Sequence, residues 1–94
     1  MEIDILVTND TIAIPVEVKS TMTVEDIKNY IERMQEIKMF FPKLAEYRIM
    51  GAIAAIVYQE NTIEFAHKQG LFVIIQSGEA VVLENSTDFV PKIW

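Results

Sequence analysis

The sequence predicts a small mixed α/β domain with the order strand, strand, helix, strand, helix, strand, strand. Three observations carry that expectation: period-two alternation over the first nineteen residues, a capped helical pattern from Thr23, and a nearly unbroken apolar run from Met50 to Tyr58. Right-handed crossovers between the central elements favour a mixed sheet in an α/β/α-like arrangement. A chain of 94 residues, 51% hydrophobic and with only three Gly and three Pro, suits one folded domain rather than two or a disordered tail.

Each element has its own local signal. Ile3, Ile5 and Val7 share one face of a first strand, and Ile12, Ile14, Val16 and Val18 share one face of a second. Polar Thr8-Asn9-Asp10-Thr11 between them reads as a hairpin turn of unspecified type. Thr23, with Asp26 three positions later, resembles a capping box, and Val24, Ile27, Ile31, Met34, Ile37 or Lys38, and Phe41 recur at helical spacing. Pro42 either ends this helix or opens a short one through Leu44 to Tyr47. The run Met50 to Tyr58 has no period, as expected of a central strand covered on both faces. Asn61 or Thr62 can cap a short helix closed by Gly70 as a left-handed terminator. Leu71 to Gln76, a Ser77-Gly78-Glu79 turn, Ala80 to Leu83 and a docking tail from Glu84 to Trp94 complete the chain.

Composition excludes several chemistries. Zero Cys removes disulfides, thiolate zinc ligands and a thiol nucleophile, and a single His leaves no His-based metal cluster. Any metal site must therefore use oxygen ligands. Fourteen acidic against eight basic residues give a net charge of −6, which disfavours free-standing nucleic-acid binding. No eighteen-residue apolar run marks a membrane span, and Met1 precedes acidic Glu2 rather than a basic signal head, so the expected location is the cytoplasm, with no membrane partner.

If the aliphatic faces of the hairpin point into the core, Glu2, Asp4, Leu6, Ala13, Pro15, Glu17 and Lys19 share the opposite face. Cross-strand neighbours lie roughly 5 to 8 Å apart, so carboxylates and one ammonium gather at the open end of the hairpin. Asp4 and Glu17 can supply anionic oxygens to a hard cation and the Val18 backbone carbonyl a neutral one, with water completing the shell of Mg²⁺ or Mn²⁺. Lys19 can stabilise charge developing on a phosphoryl oxygen or orient a nucleophilic water. The competing explanation is a solvated strand face whose ion pairs contribute about 0 to 1 kcal/mol.

At these residues the chain resembles a known family. Asp4, a twelve-residue gap and Glu17-Val18-Lys19 look like the D...ExK signature of the PD-(D/E)XK nuclease-like superfamily. The runs Ile14-Pro15-Val16-Glu17-Val18-Lys19-Ser20-Thr21, Thr23-Val24-Glu25-Asp26, Gly51-Ala52-Ile53-Ala54, Gln69-Gly70-Leu71-Phe72-Val73 and Gln76-Ser77-Gly78 are similar to a group of uncharacterised prokaryotic proteins within it. The resemblance implies a restriction-endonuclease-like fold, with Asp4 and Glu17 as metal ligands, Lys19 as the catalytic lysine and phosphodiester hydrolysis as the reaction. It also implies a helix and a strand ahead of the Asp-bearing strand. Neither is in this sequence, so the chain reads as an N-terminally truncated domain.

The remaining features fit bland roles. Glu2 and Gln76 are accessory candidates beside the site, and His67 reads as an ordinary helix residue. Tyr30, Met34 and Phe40 read as core. Lys28, Arg33, Lys38 and Lys43 interleave with Glu25, Glu32 and Glu36 as a solvated helix face. An edge strand from Ile3 to Val7 without proline or a basic gatekeeper predicts a homo-oligomer formed through that edge or through the site face. The alternative to a nuclease is a non-catalytic interaction or regulatory domain that keeps the nuclease fold.

Overall fold

A computed structural model describes residues 3–94, so the accessory candidate Glu2 lies outside the described residues. Strand β1 (Ile5–Thr8) pairs antiparallel with the long β2 (Ile12–Met22), with Ile5 opposite Val16 and Val7 opposite Ile14. Asn9 makes the turn: its side-chain Oδ1 accepts from the Thr11 and Ile12 amides at 2.9 and 2.7 Å. The first strand is shorter than the alternation predicts. Ile3 leaves the strand and packs against the core, while Ile5 and Val7 stay exposed.

Thr23 caps α1 (Val24–Gln35) through the expected reciprocal box, with Asp26 N donating to Thr23 Oγ1 and Thr23 N donating to Asp26 Oδ2. The helical pattern is not continuous to Phe41. It breaks at Glu36, where φ is −110° and ψ is 5°, and restarts as α2 (Ile37–Phe40) with Ile37 turned into the core. Pro42 opens a 3₁₀ turn, Pro42–Leu44, in which Leu44 is buried.

The apolar run Met50 to Tyr58 forms one strand from Ala52 onward, and a two-residue strand that the run did not include precedes it. β3 (Arg48–Ile49) pairs with the start of β2, and β4 (Ala52–Tyr58) runs parallel to the rest of β2, with Glu17 opposite Ile53. Then come α3 (Thr62–Lys68), β5 (Phe72–Ser77) parallel to β4, and β6 (Ala80–Leu83) antiparallel to β5. Asn61 precedes α3 in the left-handed conformation and makes no side-chain cap, contrary to the capping expectation. Gly70, with φ of +77°, terminates that helix as expected, and a Cβ there would meet the Lys92 backbone at 2.7 Å. The tail docks along the same end of the sheet. Lys92 N donates to Gly70 O, Trp94 N donates to Ile49 O, and Phe89 packs edge-on against Phe72 with centroids 5.2 Å apart.

The sheet order is β1-β2-β4-β5-β6, a curled mixed sheet with helices flanking it. One expectation is reversed here. The face carrying Ala13, Glu17, Ile53, Ala55 and Val73 is the buried one, packed with Ile27, Tyr30, Met34, Ile37 and Ala66 from the helices. The aliphatic face of Ile5, Val7, Val18 and Ile56 is the open one. Crossover handedness explains it: β2 to β4 and β4 to β5 step in the same direction, so two right-handed crossovers deliver α1 and α3 to the same side. The arrangement is therefore two-layered among the described residues rather than α/β/α. No helix among them is long and apolar enough to cross a membrane.

Candidate metal and phosphodiester site

The site is built from the far end of the hairpin and the first half of α1. Beyond the Ile5–Val16 pair, the next residues across the strands are Asp4 and Glu17. Asp4 Oδ2 accepts the Val18 amide at 3.0 Å. That contact replaces a strand hydrogen bond and ends β1 at Ile5. A strand residue points its N–H and C=O to the same side, so the Val18 carbonyl faces the Asp4 side as well, and does not face β4.

Glu17 occupies a different environment from Asp4. Only 7% of it is exposed, at the edge of a notch of about 20 Å³ shared with Ile3, Pro15, Tyr30, Met34 and Ile37, with space for about one water. Its Oε2 pairs with the Arg33 guanidinium from α1. Burial pushes the Glu17 carboxyl above its ordinary range; Arg33 pulls it back and neighbouring Asp4 raises it. Asp4, near the surface, is held below its ordinary range, chiefly by the Val18 amide and then by Glu17, with Arg33 and Lys19 adding to the effect. Two adjacent carboxyls are thus pushed in opposite directions, a pattern that divides acid and base roles in catalytic pairs.

Tyr30 fixes how α1 sits over this pair. Its hydroxyl donates to Pro15 O at 2.5 Å and accepts from Ala52 N at 3.1 Å, entering the gap between β2 and β4 where β3 ends. Burial lifts the phenol far above its usual range, so it stays neutral and able to donate. Gly51 makes room for it. A Cβ at that position would lie 3.1 Å from the Tyr30 oxygen and 2.6 Å from Leu71 Cδ2. With Tyr30 held, Asp26 and Arg33, one turn to either side of it, and the adjacent Asn29 close over the hairpin end.

The result is an open cleft of about 340 Å³ lined by Asp4, Glu17, Lys19, Asp26, Asn29 and Arg33. Asp4, Glu17 and Lys19 are therefore brought together. Asn29 and Arg33 were not singled out from the sequence, where Arg33 reads as part of a solvated face. The usable signal was the i to i+4 step from Asn29 to Arg33 flanking a core tyrosine. Gln76 is not part of this site. It lines the opposite, open side of the sheet, where Lys19 also reaches the rim. His67 packs 6.1 Å from Phe89 and lines none of the cleft.

Among the described residues, no group of three or more His, Asp or Glu side chains could hold a metal ion by itself. The hard-oxygen donors at this end of the hairpin are the Asp4 and Glu17 carboxylates, which line the cleft, with the Val18 carbonyl on the Asp4 side of β2. That set suits Mg²⁺ or Mn²⁺, which bind through one or two carboxylates and keep several waters. Neither a family model, nor a curated protein, nor a solved structure matches the chain.

Proposed function

We propose that the chain is a metal-dependent nuclease-like domain of the PD-(D/E)XK superfamily with a restriction-endonuclease-like fold, whose site comprises Asp4, Glu17 and Lys19. The supporting observation is a cleft that unites the D...ExK residues, with the two carboxyls displaced to opposite sides of their ordinary range. Asp4, Glu17 and the Val18 carbonyl would hold Mg²⁺ or Mn²⁺, which supplies Lewis acidity toward a phosphoryl oxygen and a more acidic water. Lys19 stabilises the negative charge that develops on the phosphoryl group, and the Asp4 bond to the Val18 amide keeps that carboxylate oriented. Asn29 offers an amide to a phosphate oxygen from the opposite wall of the cleft.

A second reading is favoured by the uncovered side of the sheet: a non-catalytic domain that works by association. That side holds two adjoining apolar hollows of about 410 and 310 Å³, spanning β1, β2, β4, β5 and β6, and parallel strands ordinarily have both faces covered. A second copy meeting this face or the β1 edge would bury both. Nucleic-acid cleavage separates the readings. With Mn²⁺ and single-stranded, duplex or RNA substrates, the nuclease reading expects cleavage that falls at least a hundredfold in Lys19→Ala and Asp4→Asn. Equal rates in all three proteins contradict it, and saturable metal binding without cleavage favours the association reading.

A further inference from the structure

We infer that Arg33 is the built-in competitor of the divalent cation: its guanidinium holds the Glu17 oxygen that a metal would need, and it must be displaced for the site to load. The inference rests on the metal-site reading above and concerns how that site is regulated.

Three observations carry it. The Glu17 carboxylate is almost wholly buried, and a buried carboxylate requires a counter-charge. Arg33 supplies that charge at Oε2, with its side chain 37% exposed and therefore free to swing outward. The net charge of the cleft is also small. Asp4, Glu17 and Asp26 face Lys19 and Arg33, three negative charges against two positive, with Asp26 tied to the helix cap through Thr23. A net of one negative charge attracts a dication weakly, and removing the guanidinium doubles it. Arg33 does not reach Glu17 by chance rotation of the helix, because Tyr30, three residues earlier, is locked into the β2–β4 gap. In that paired position its guanidinium carbon lies 5.9 Å from the Tyr30 ring centroid. By reciprocity, metal must weaken the Arg33–Glu17 pair as much as that pair weakens metal binding.

The test is Mn²⁺ binding, read as loss of the free-ion paramagnetic resonance signal. It compares the wild-type chain, Arg33→Met, Arg33→Lys and the Arg33→Met/Glu17→Gln double variant. Arg33→Met keeps the stem and loses the charge, and is expected to bind Mn²⁺ at least tenfold more tightly than wild type. Arg33→Lys is expected to stay near wild type, and the double variant to lose the gain. If Arg33→Met is only partly folded, Mn²⁺ should raise its melting temperature by more than it raises that of wild type. Saturable binding of equal strength in wild type and Arg33→Met overturns the inference and leaves the metal site standing. Absence of saturable binding in all four proteins overturns both.

Discussion

Gly51 and Tyr30 form one structural unit: the missing side chain of the glycine is the space through which the phenol reaches Pro15 O and Ala52 N. This unit sets the angle of α1, and through it the position of Arg33 and Asn29 over Glu17.

Tyr30→Phe deletes both hydrogen bonds and leaves a buried amide and carbonyl without partners. The expected loss is about 1 to 3 kcal/mol, read by urea unfolding as a lower midpoint with an unchanged slope. Gly51→Ala should cost a similar amount, because the new methyl must displace Leu71 and the phenol. A change below about 0.5 kcal/mol in Tyr30→Phe would mean that the phenol does not brace the sheet.

Glu17 gives the chain a particular dependence on pH. Its carboxyl is raised in the folded state, so the native protein keeps a proton at pH values where the unfolded chain has lost it. Its contribution to stability is thus largest below the unfolded value of about 4.3 and falls as pH rises through the folded value. Asp4, lowered, contributes in the opposite sense and loses its share as pH falls. Arg33→Met removes the partner of ionised Glu17 and should steepen the loss toward pH 8, whereas Glu17→Gln should abolish that slope. Melting curves from pH 4 to 8 that run parallel for wild type and Arg33→Met would contradict this.

Asn85 stands in for a strand. Its Oδ1 accepts the Val73 amide at 2.7 Å and its Nδ2 donates to Leu71 O at 3.1 Å, extending the pairing of β5 beyond β6. Asn85→Ala should lower stability by about 1 to 3 kcal/mol and speed hydrogen exchange at Val73 before that at Ile53. Unchanged protection at Val73 would contradict the assignment.

The open sheet face should govern assembly. Ile56 and Val81, 59% and 68% exposed, line the larger hollow. Light scattering is expected to give a mass that rises with concentration for wild type and stays monomeric for Ile56→Lys. Stability should change by no more than about 0.5 kcal/mol. A wild-type chain that remains at monomer mass at high micromolar concentration contradicts the prediction.

Which parts of this architecture were legible depends on the range of the interaction. The hairpin, the Thr23–Asp26 box, the Gly70 terminator and the shared face of Asp4 and Glu17 follow from neighbours two to four residues apart, or from strand alternation. Alternation fixes which side chains share a face and says nothing of which face the helices take. That choice belongs to crossover handedness, so the aliphatic face of Ile5, Val7 and Val18 was expected inside and lies outside. Arg33 reads as solvated in the sequence for a related reason. A charged residue on an amphipathic helix looks solvated until a buried carboxylate on a strand sixteen residues away demands it. The start of β4 at Ala52 rather than Met50 is not legible in the run, because an apolar run carries no mark of a hydroxyl entering from another element.

The proposed cation site of Asp4, Glu17 and the Val18 carbonyl is tested most directly by anomalous diffraction from crystals grown with saturating Mn²⁺. A single strong peak is expected between the Asp4 and Glu17 carboxylates, within about 2.0 to 2.6 Å of both and beside the Val18 carbonyl, with Arg33 moved off Glu17. A Mn²⁺ peak elsewhere, or a well-ordered Arg33–Glu17 pair with no peak beside it, would contradict the site.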